Sequence, residues 1–146
     1  MKRSIAMAGL FFVLPVCAVE KHPCVIPGSA VDIALRQALE QDSGFDEKNW
    51  DRAASRLELI ENAPVSGLFA EQLAQEDAAS EPEESKQGLY KGMLTAYSSN
   101  NTRNLIVRYI YFNKQGKKNV YIGSALVDDY ECSVNFKGYL TVSREF

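Results

Sequence analysis

The first 18 residues carry the pattern of an export signal, and this pattern constrains the fold because it decides the state of the cysteines. Lys2 and Arg3 precede an uncharged apolar run, IAMAGLFFVLPV, at residues 5–16. Val16-Cys17-Ala18 then offers small residues where a signal peptidase cleaves. The apolar run is shorter than the roughly 20 residues that a spanning helix needs. We therefore expect cleavage after Ala18 and no transmembrane span.

A cleaved leader predicts that the mature chain is periplasmic or secreted, and the short apolar core fits a bacterial signal. Cys17 allows an alternative, because residues 14–17 (LPVC) resemble a bacterial lipobox, in which the cysteine is lipidated. Pro15 and Val16 depart from that pattern. Under this alternative the chain would be an outer-membrane lipoprotein anchored through Cys17.

Two cysteines, Cys24 and Cys132, remain after cleavage. In an oxidising compartment such a pair is expected to form a disulfide. No Cys-x-x-Cys spacing is present, so the pair is interpreted as structural and not as a redox centre. The disulfide would fasten the N-terminal segment to a late part of the chain.

Residues 19–146 suffice for one domain with its own core, and a composition of 46% hydrophobic and 24% charged residues argues against wholesale disorder. Charge is unevenly placed. Residues 19–90 hold 15 acidic against six basic side chains, whereas residues 91–146 hold four acidic against eight basic ones. The overall acidity and the export signal disfavour a nucleic-acid partner.

Helical spacing predicts three helices in the first half of the chain. The first begins at Ser29 as N-cap and ends at Gly44. The second begins at Asp46 and ends at Pro64, and its apolar stripe consists of Trp50, Ala53, Ala54, Leu57 and Ile60.

A third, shorter helix is predicted from Ser66, with Leu68, Phe69 and Leu73 buried. The acidic residues 76–87 lack large apolar side chains and are expected to form a loop. Residues 89–97 fit either a helix or a strand, and Gly88, Gly92 and the turn residues 98–101 favour a strand.

From residue 105 the apolar period changes to two, which is typical of strands. Residues 105–112 and 120–127 flank a Gly-containing hairpin loop, and the last strand directs one set of side chains inward: Cys132, Val134, Phe136, Leu140 and Val142. The predicted fold is α+β, with about three N-terminal helices packed on one face of a four-stranded antiparallel meander sheet, sequential strand order and one disulfide.

Catalytic signals are sparse. The only histidine, His22, lies near the predicted cleavage site without ligand spacing around it, and we expect no metal and no cofactor. Neither a phosphate-binding glycine loop nor a Ser-His-Asp arrangement is recognisable. Asp128, Asp129 and Glu131 form the one carboxylate group that suits a hydrolase, although aspartates are also ordinary turn residues.

All seven tyrosines lie at residues 90–139, interleaved with basic side chains. Tyrosine anchors many protein interfaces, although it also simply favours strands. The candidate partner-binding residues are Tyr109, Tyr111, Tyr121, Tyr139, Lys114, Lys117 and Lys118. An acidic front is the alternative contact surface, formed by Asp42, Asp46, Glu47 and Asp51.

Together these patterns predict an exported, non-enzymatic protein-binding domain of the immunity or inhibitor type, whose partner is an envelope-acting enzyme or toxin. One alternative is a small-ligand-binding domain with an apolar pocket near Trp50, Phe69 and Phe112. The other is a small hydrolase that uses Asp128 or Glu131.

Overall fold

The structure is a computed structural model, and it describes residues 21–146. The predicted leader, its cleavage site and Cys17 lie outside the described residues. Within them, no helix has the length and apolar character needed to cross a membrane. The elements follow in the order α1 (Ala30–Ser43), β1 (Trp50–Pro64), α2 (Gly67–Ala78), α3 (Glu83–Ser98), β2 (Arg103–Asn113), β3 (Lys118–Val127) and β4 (Asn135–Ser143).

The four strands form one antiparallel sheet in the order β1-β2-β3-β4. The predicted α+β class, the four-stranded antiparallel sheet and its sequential order are confirmed. The first strand is not the one expected, because it lies at Trp50–Pro64, where a helix was predicted.

That helix prediction is wrong because β1 is irregular. Its pairing with β2 shifts register between Asp51 and Arg56, where Ser55 Oγ accepts a hydrogen bond from Trp50 Nε1 at 2.8 Å. The irregularity interrupts the alternation of apolar residues, so that their spacing in the sequence is typical of a helix. Beyond it, Leu57 and Leu59 alternate regularly opposite β2.

Helix α1 forms as predicted and covers one face of the sheet. Ser29 caps it by accepting a hydrogen bond from the Asp32 N–H, and Gly44 ends it in the left-handed conformation, with φ of 67°. Its buried apolar residues contact the sheet: Val31, Leu35 and Leu39.

Only α1 precedes the sheet, so the predicted set of three N-terminal helices on one face is wrong. Helices α2 and α3 form a hairpin inserted between β1 and β2. They pack around Tyr97, Leu126 and Val134 in an apolar cluster separate from the one beneath α1. The order was missed because residues 50–64, which form β1, were predicted as a helix, and residues 89–97, which belong to α3, were predicted as a strand.

The structure of the α2–α3 hairpin differs from the predictions at Leu68, at residues 76–87 and at residues 89–97. Ser66 caps α2 as predicted, but Leu68 is 80% exposed and is not buried. The acidic range 76–87 contains the end of α2, a short turn and the start of α3. Residues 89–97, for which a strand was favoured, belong to α3, and Gly88 and Gly92 occupy positions where a side chain would meet only open space.

Strand β4 begins at Asn135, and register shifts interrupt its pairing with β3 on both sides of its central residues. Because of these shifts, side chains that strict alternation would place on one face of the sheet are not equally buried. Phe136 and Tyr139 pack against the core beneath α1, whereas Leu140 is 70% and Val142 is 55% exposed. The expectation that Leu140 and Val142 point inward is therefore wrong.

The predicted disulfide between Cys24 and Cys132 is present, with a Cα–Cα distance of 5.4 Å and a sequence separation of 108. Cys24 is buried at the edge of the core beneath α1. The bond joins the segment before α1 to the segment before β4.

Candidate functional site

The β2–β3 turn carries the three candidate lysines at one end of the sheet. Lys114 and Lys117 lie in the turn itself, and Lys118 begins β3. All three are exposed. We call these three residues the lysine tip.

Hydrogen bonds from three directions hold the lysine tip in place. Buried Asn113 accepts bonds on Oδ1 from the backbone N–H groups of Gln115 at 3.0 Å and Lys117 at 2.9 Å. The Lys114 N–H donates to the Asn49 carbonyl, at 3.0 Å. The Lys118 N–H donates to the Glu145 carboxylate at 2.7 Å. The lysines therefore project from a fixed backbone.

The lysines were predicted from the sequence, but Asn113, which fixes their backbone, was not. An Asx-type turn is the signal that could have identified it, because an asparagine before a polar, glycine-containing loop commonly bonds the backbone ahead of it. Gly116 completes this turn with φ of 78°, a conformation that favours glycine.

The ammonium groups of the lysine tip form no salt bridge with any other residue of the range 21–146. The salt bridges among the described residues involve Arg36, Arg56, Lys86, Arg108 and Lys137, and none involves the lysine tip. A cation without an internal partner retains its full attraction for an approaching anion.

Three of the four candidate tyrosines are buried, so they do not share the exposed surface of the lysine tip. Tyr109, Tyr111 and Tyr121 are at most 1% exposed, and they lie between the sheet and α1. Their rings follow one another at centroid distances of 6.1 Å and 6.0 Å. These three side chains form an aromatic core layer that a partner cannot touch while α1 is in place.

Hydrogen bonds fix the buried phenols. Tyr111 donates to Asp32 Oδ1 at 2.6 Å, and Tyr121 Oη accepts from Asn119 Nδ2 at 3.0 Å. Burial, reinforced by the nearby Asp32 carboxylate, raises the pKa values of Tyr109 and Tyr111 above the ordinary range.

Tyr139 is the candidate tyrosine nearest to solvent. It is partly buried, and its hydroxyl donates to Asp42 Oδ2 at 2.9 Å, which joins β4 to α1. Burial and then this hydrogen bond raise its pKa. Of the seven candidate residues, only the three of the lysine tip are exposed, and their ammonium groups form no salt bridge within the described residues.

The acidic front contrasts with the lysine tip, because all four of its carboxylates are engaged within the chain. Asp42 accepts from Tyr139, and Asp46 accepts from the Lys48 N–H. Glu47 pairs with Arg36, while Asp51 accepts from the N–H groups of the two alanines that follow Arg52. These internal bonds make the acidic front the weaker candidate for partner contact.

The carboxylates of Asp128 and Asp129 have structural partners as well, whereas that of Glu131 is exposed. Asp128 Oδ1 accepts from the N–H groups of Tyr130 and Glu131, both at 2.8 Å, and Asp129 accepts from Asn101 Nδ2 at 3.1 Å. The backbone hydrogen bonds lower the pKa of the Asp128 carboxyl. A carboxylate with a lowered pKa is poorly suited to donate a proton as a general acid.

The remaining candidate sites are dispersed. His22 Nδ1 accepts from the Cys24 N–H at 3.2 Å. Within residues 21–146, no group of three or more His, Cys, Asp or Glu side chains is placed to hold a metal ion. Trp50 packs on Tyr111, whereas Phe69 lies in the α2–α3 cluster, so the aromatic residues proposed to line a ligand pocket are not together.

One polar cluster has no counterpart in the sequence analysis. Asp77 of α2 accepts hydrogen bonds from Tyr97 and Asn135, and it pairs with Lys137 Nζ at 2.8 Å. Burial raises the pKa of Asp77, but the bonds from Lys137 and Tyr97 outweigh burial and hold it below its usual value. Burial and Asp77 raise the pKa of Tyr97 to about 12. The cluster fastens the helical hairpin to β4.

No family model, no curated protein sequence and no solved structure matches this chain significantly. The assignment of function therefore depends on the geometry of the chain itself.

Proposed function

We propose that this chain is an exported, non-enzymatic protein-binding domain of the immunity or inhibitor type. It neutralises an envelope-acting enzyme or toxin by docking an acidic surface of that protein on the lysine tip. The observation that carries the proposal is the lysine tip itself: its three exposed cations have no salt bridge within residues 21–146, and they lie on a backbone held by Asn113.

The fixed backbone matters because ordering flexible groups on binding costs free energy. A loop that is already held in place loses less conformational entropy when a partner docks. Clustered cations also increase the rate of association with an acidic protein, because they steer its approach over a Debye length of roughly 8 Å at physiological salt.

The internal bonds of the other charged candidate residues also favour the lysine tip as the contact surface. The acidic front and the aspartates at 128 and 129 are used in internal hydrogen bonds or salt bridges, which leaves the lysine tip as the largest group of charged candidate residues without a salt bridge in the described part of the chain.

The compartment is part of the proposal. The leader-like residues 1–18 and the disulfide between Cys24 and Cys132 support a periplasmic or secreted protein cleaved after Ala18. A lipoprotein anchored through Cys17 would carry the same domain at the outer membrane.

The test is capture from the envelope fraction of the bacterium that encodes the chain. The purified exported chain is immobilised through a C-terminal tag, and captured proteins are assayed for peptidoglycan and phospholipid hydrolysis with and without added chain. The double variant Lys114→Glu/Lys117→Glu reverses two of the three charges of the lysine tip. Its matched control, Lys86→Glu/Lys91→Glu, makes the same change in charge on α3, at half-buried Lys86 and exposed Lys91.

We expect the wild type and the α3 control to capture and inhibit the same enzyme. The lysine-tip variant should bind it at least about tenfold more weakly, which corresponds to about 1.4 kcal/mol. Affinity should also fall as salt rises. Failure to inhibit any captured envelope enzyme, or equal binding by the two double variants, would overturn the proposal.

A further inference from the structure

A pocket of about 400 Å³ lies at the β1 edge of the sheet, between that strand and the segment before α1. We call it the edge pocket. Its volume is within the range of about 300–1,000 Å³ that small-ligand sites occupy. Its apolar lining comes from both walls and consists of Val25, Ile26, Pro27, Leu57 and Leu59. Leu57 and Leu59 also pack against the core beneath α1, so the edge pocket opens onto the margin of that core.

A covalent bond and a hydrogen bond hold the segment that forms the outer wall of the edge pocket. The disulfide from Cys24 to Cys132 fixes the centre of this segment. Arg52, in the irregular part of β1, donates from Nη2 to the Pro27 carbonyl at 2.9 Å. The edge pocket is therefore formed before a ligand enters it, which reduces the conformational entropy that binding costs.

Basic side chains accompany the apolar lining of the edge pocket. Lys21, His22 and Arg56 line it, and no acidic residue of the described range does. This part of the sequence is otherwise acidic, since residues 19–90 hold 15 acidic but only six basic side chains. The groove between α2 and α3 differs, because Glu83 lines it together with Lys86. An apolar cavity with cations beside it is complementary to a molecule that has an apolar body and one anionic group.

Two of these basic residues keep their donors for a ligand. Lys21 is exposed, and the salt bridges among residues 21–146 do not include it. His22 Nδ1 accepts a hydrogen bond from the Cys24 N–H at 3.2 Å. The proton of the neutral imidazole is therefore on Nε2, which remains a donor.

Arg56 has an internal partner but keeps donors beyond it. Its Nε donates to Glu58 Oε1 at 3.1 Å, in a pair whose side chains are 61% and 37% exposed. The other guanidinium N–H groups take no part in this bond, and exposed ion pairs are weak. Glu58 also lies 3.8 Å from Arg108 Nη1, so it keeps a cation when Arg56 binds another anion.

We propose that the edge pocket binds a small amphipathic carboxylate, such as a medium-chain fatty acid. The hydrocarbon chain would contact Val25, Ile26 and Leu57, and the carboxylate would pair with Lys21 and Arg56. A carboxylate suits this site because its two oxygens match the parallel N–H donors of a guanidinium. The edge pocket shares no residue with the lysine tip, so this inference goes beyond the proposed function and does not depend on it.

Titration of the full exported chain with octanoate, followed by NMR of the backbone amides, tests the proposal. Octanoate should bind saturably, with a dissociation constant on the order of 0.1–1 mM, and should shift the amide signals of residues 21–27 and 55–59. Octan-1-ol has the same chain length without the charge and should bind at least about tenfold more weakly. Acetate has the charge without the chain and should not bind measurably.

Variants at exposed positions separate the charged contact from the apolar one. Lys21→Ala/Arg56→Ala should weaken octanoate binding at least about tenfold and leave octan-1-ol binding unchanged. Its control, Lys48→Ala/Lys91→Ala, removes the same charge at exposed positions elsewhere and should bind octanoate like the wild type. Ile26→Ser, at a 54% exposed residue, should weaken the binding of both molecules.

Four results would overturn the proposal. They are no saturable octanoate binding, shifts confined to the lysine tip, equal affinities of the wild type for octanoate and octan-1-ol, and equal octanoate binding by the two double variants.

Discussion

The hydroxyl of Tyr111 donates a hydrogen bond to Oδ1 of Asp32 at 2.6 Å, in the buried layer between the sheet and α1. Asp32 Oδ2 accepts two further bonds, from the Gly28 N–H at 2.7 Å and from Arg36 Nε at 3.3 Å. One fully buried carboxylate therefore connects β2, α1 and the segment that leads to the disulfide.

The hydrogen bond between Tyr111 and Asp32 predicts that replacing Asp32 lowers the free energy of unfolding more than replacing Tyr111 does. Asp32→Ala should lower the free energy of unfolding by about 3–5 kcal/mol, because it leaves Arg36 and the Tyr111 hydroxyl without their buried partner. Tyr111→Phe should cost about 1–2 kcal/mol, since Asp32 keeps its other donors. Urea denaturation measures both changes. Tyr130→Phe, at an 84% exposed residue, is the control and should match the wild type. Equal costs for the first two variants would contradict this account of the network.

The disulfide predicts a large dependence of stability on the redox state. In the chain-entropy description, closing a loop of 108 residues contributes about 4–5 kcal/mol. Cys24→Ser/Cys132→Ser, or reduction of the wild type, should lower the urea midpoint accordingly. Reducing agent should not change the variant further. If reduction left the midpoint of the wild type unchanged, the bond would contribute nothing to holding the N-terminal segment.

The Asp77 cluster predicts a loss of stability in acid. Its bonds from Lys137 and Tyr97 outweigh burial, so the pKa of Asp77 in the folded chain lies below the ordinary value of 3.8. The stabilisation is therefore fully present above the pKa of the unfolded chain and is lost as pH falls through the pKa of the folded chain. At neutral pH we expect Asp77→Asn to cost about 1–3 kcal/mol.

Denaturation of the wild type and Asp77→Asn from pH 7 to pH 2 measures this effect, and the difference between their unfolding free energies should shrink below about pH 4. Glu71→Gln makes the same change in charge at an exposed position of α2 and should show no such dependence. A constant difference across the range would show that the cluster acts without the charge of Asp77.

The sequence predicted those parts of the fold that depend on local signals. The Ser29 and Ser66 caps, the Gly44 stop and the alternation in β2 and β3 each act within a few residues, and each was confirmed. The disulfide was also predictable, because only two cysteines follow the predicted leader.

The errors arose where tertiary pairing overrides a local pattern. Strand β1 pairs with residues of β2 that are about 50 positions away, and its irregularity near Ser55 gives its apolar residues a helical spacing. The exposure of Leu140 depends on register shifts in β4, which alternation cannot reveal.

The candidate site was predicted only in part, because tertiary packing decides which side chains are buried. The tyrosines and lysines lie close together in the sequence, but α1 covers one face of the sheet and thereby decides which of them reach solvent. The structure directs Tyr109, Tyr111 and Tyr121 towards α1 and leaves the lysine tip exposed. No signal in the sequence alone reports which sheet face a helix covers.

The central claim is that the chain acts outside the cytoplasm as a disulfide-linked domain, and intact-mass spectrometry with alkylation of the native protein tests it most directly. We predict that the exported fraction contains residues 19–146 with two hydrogen atoms fewer than the reduced chain, and that no thiol reacts before reduction. A chain that retains residues 1–18 in the cytosol, or an exported chain whose Cys24 and Cys132 are both alkylated without reduction, would contradict the claim.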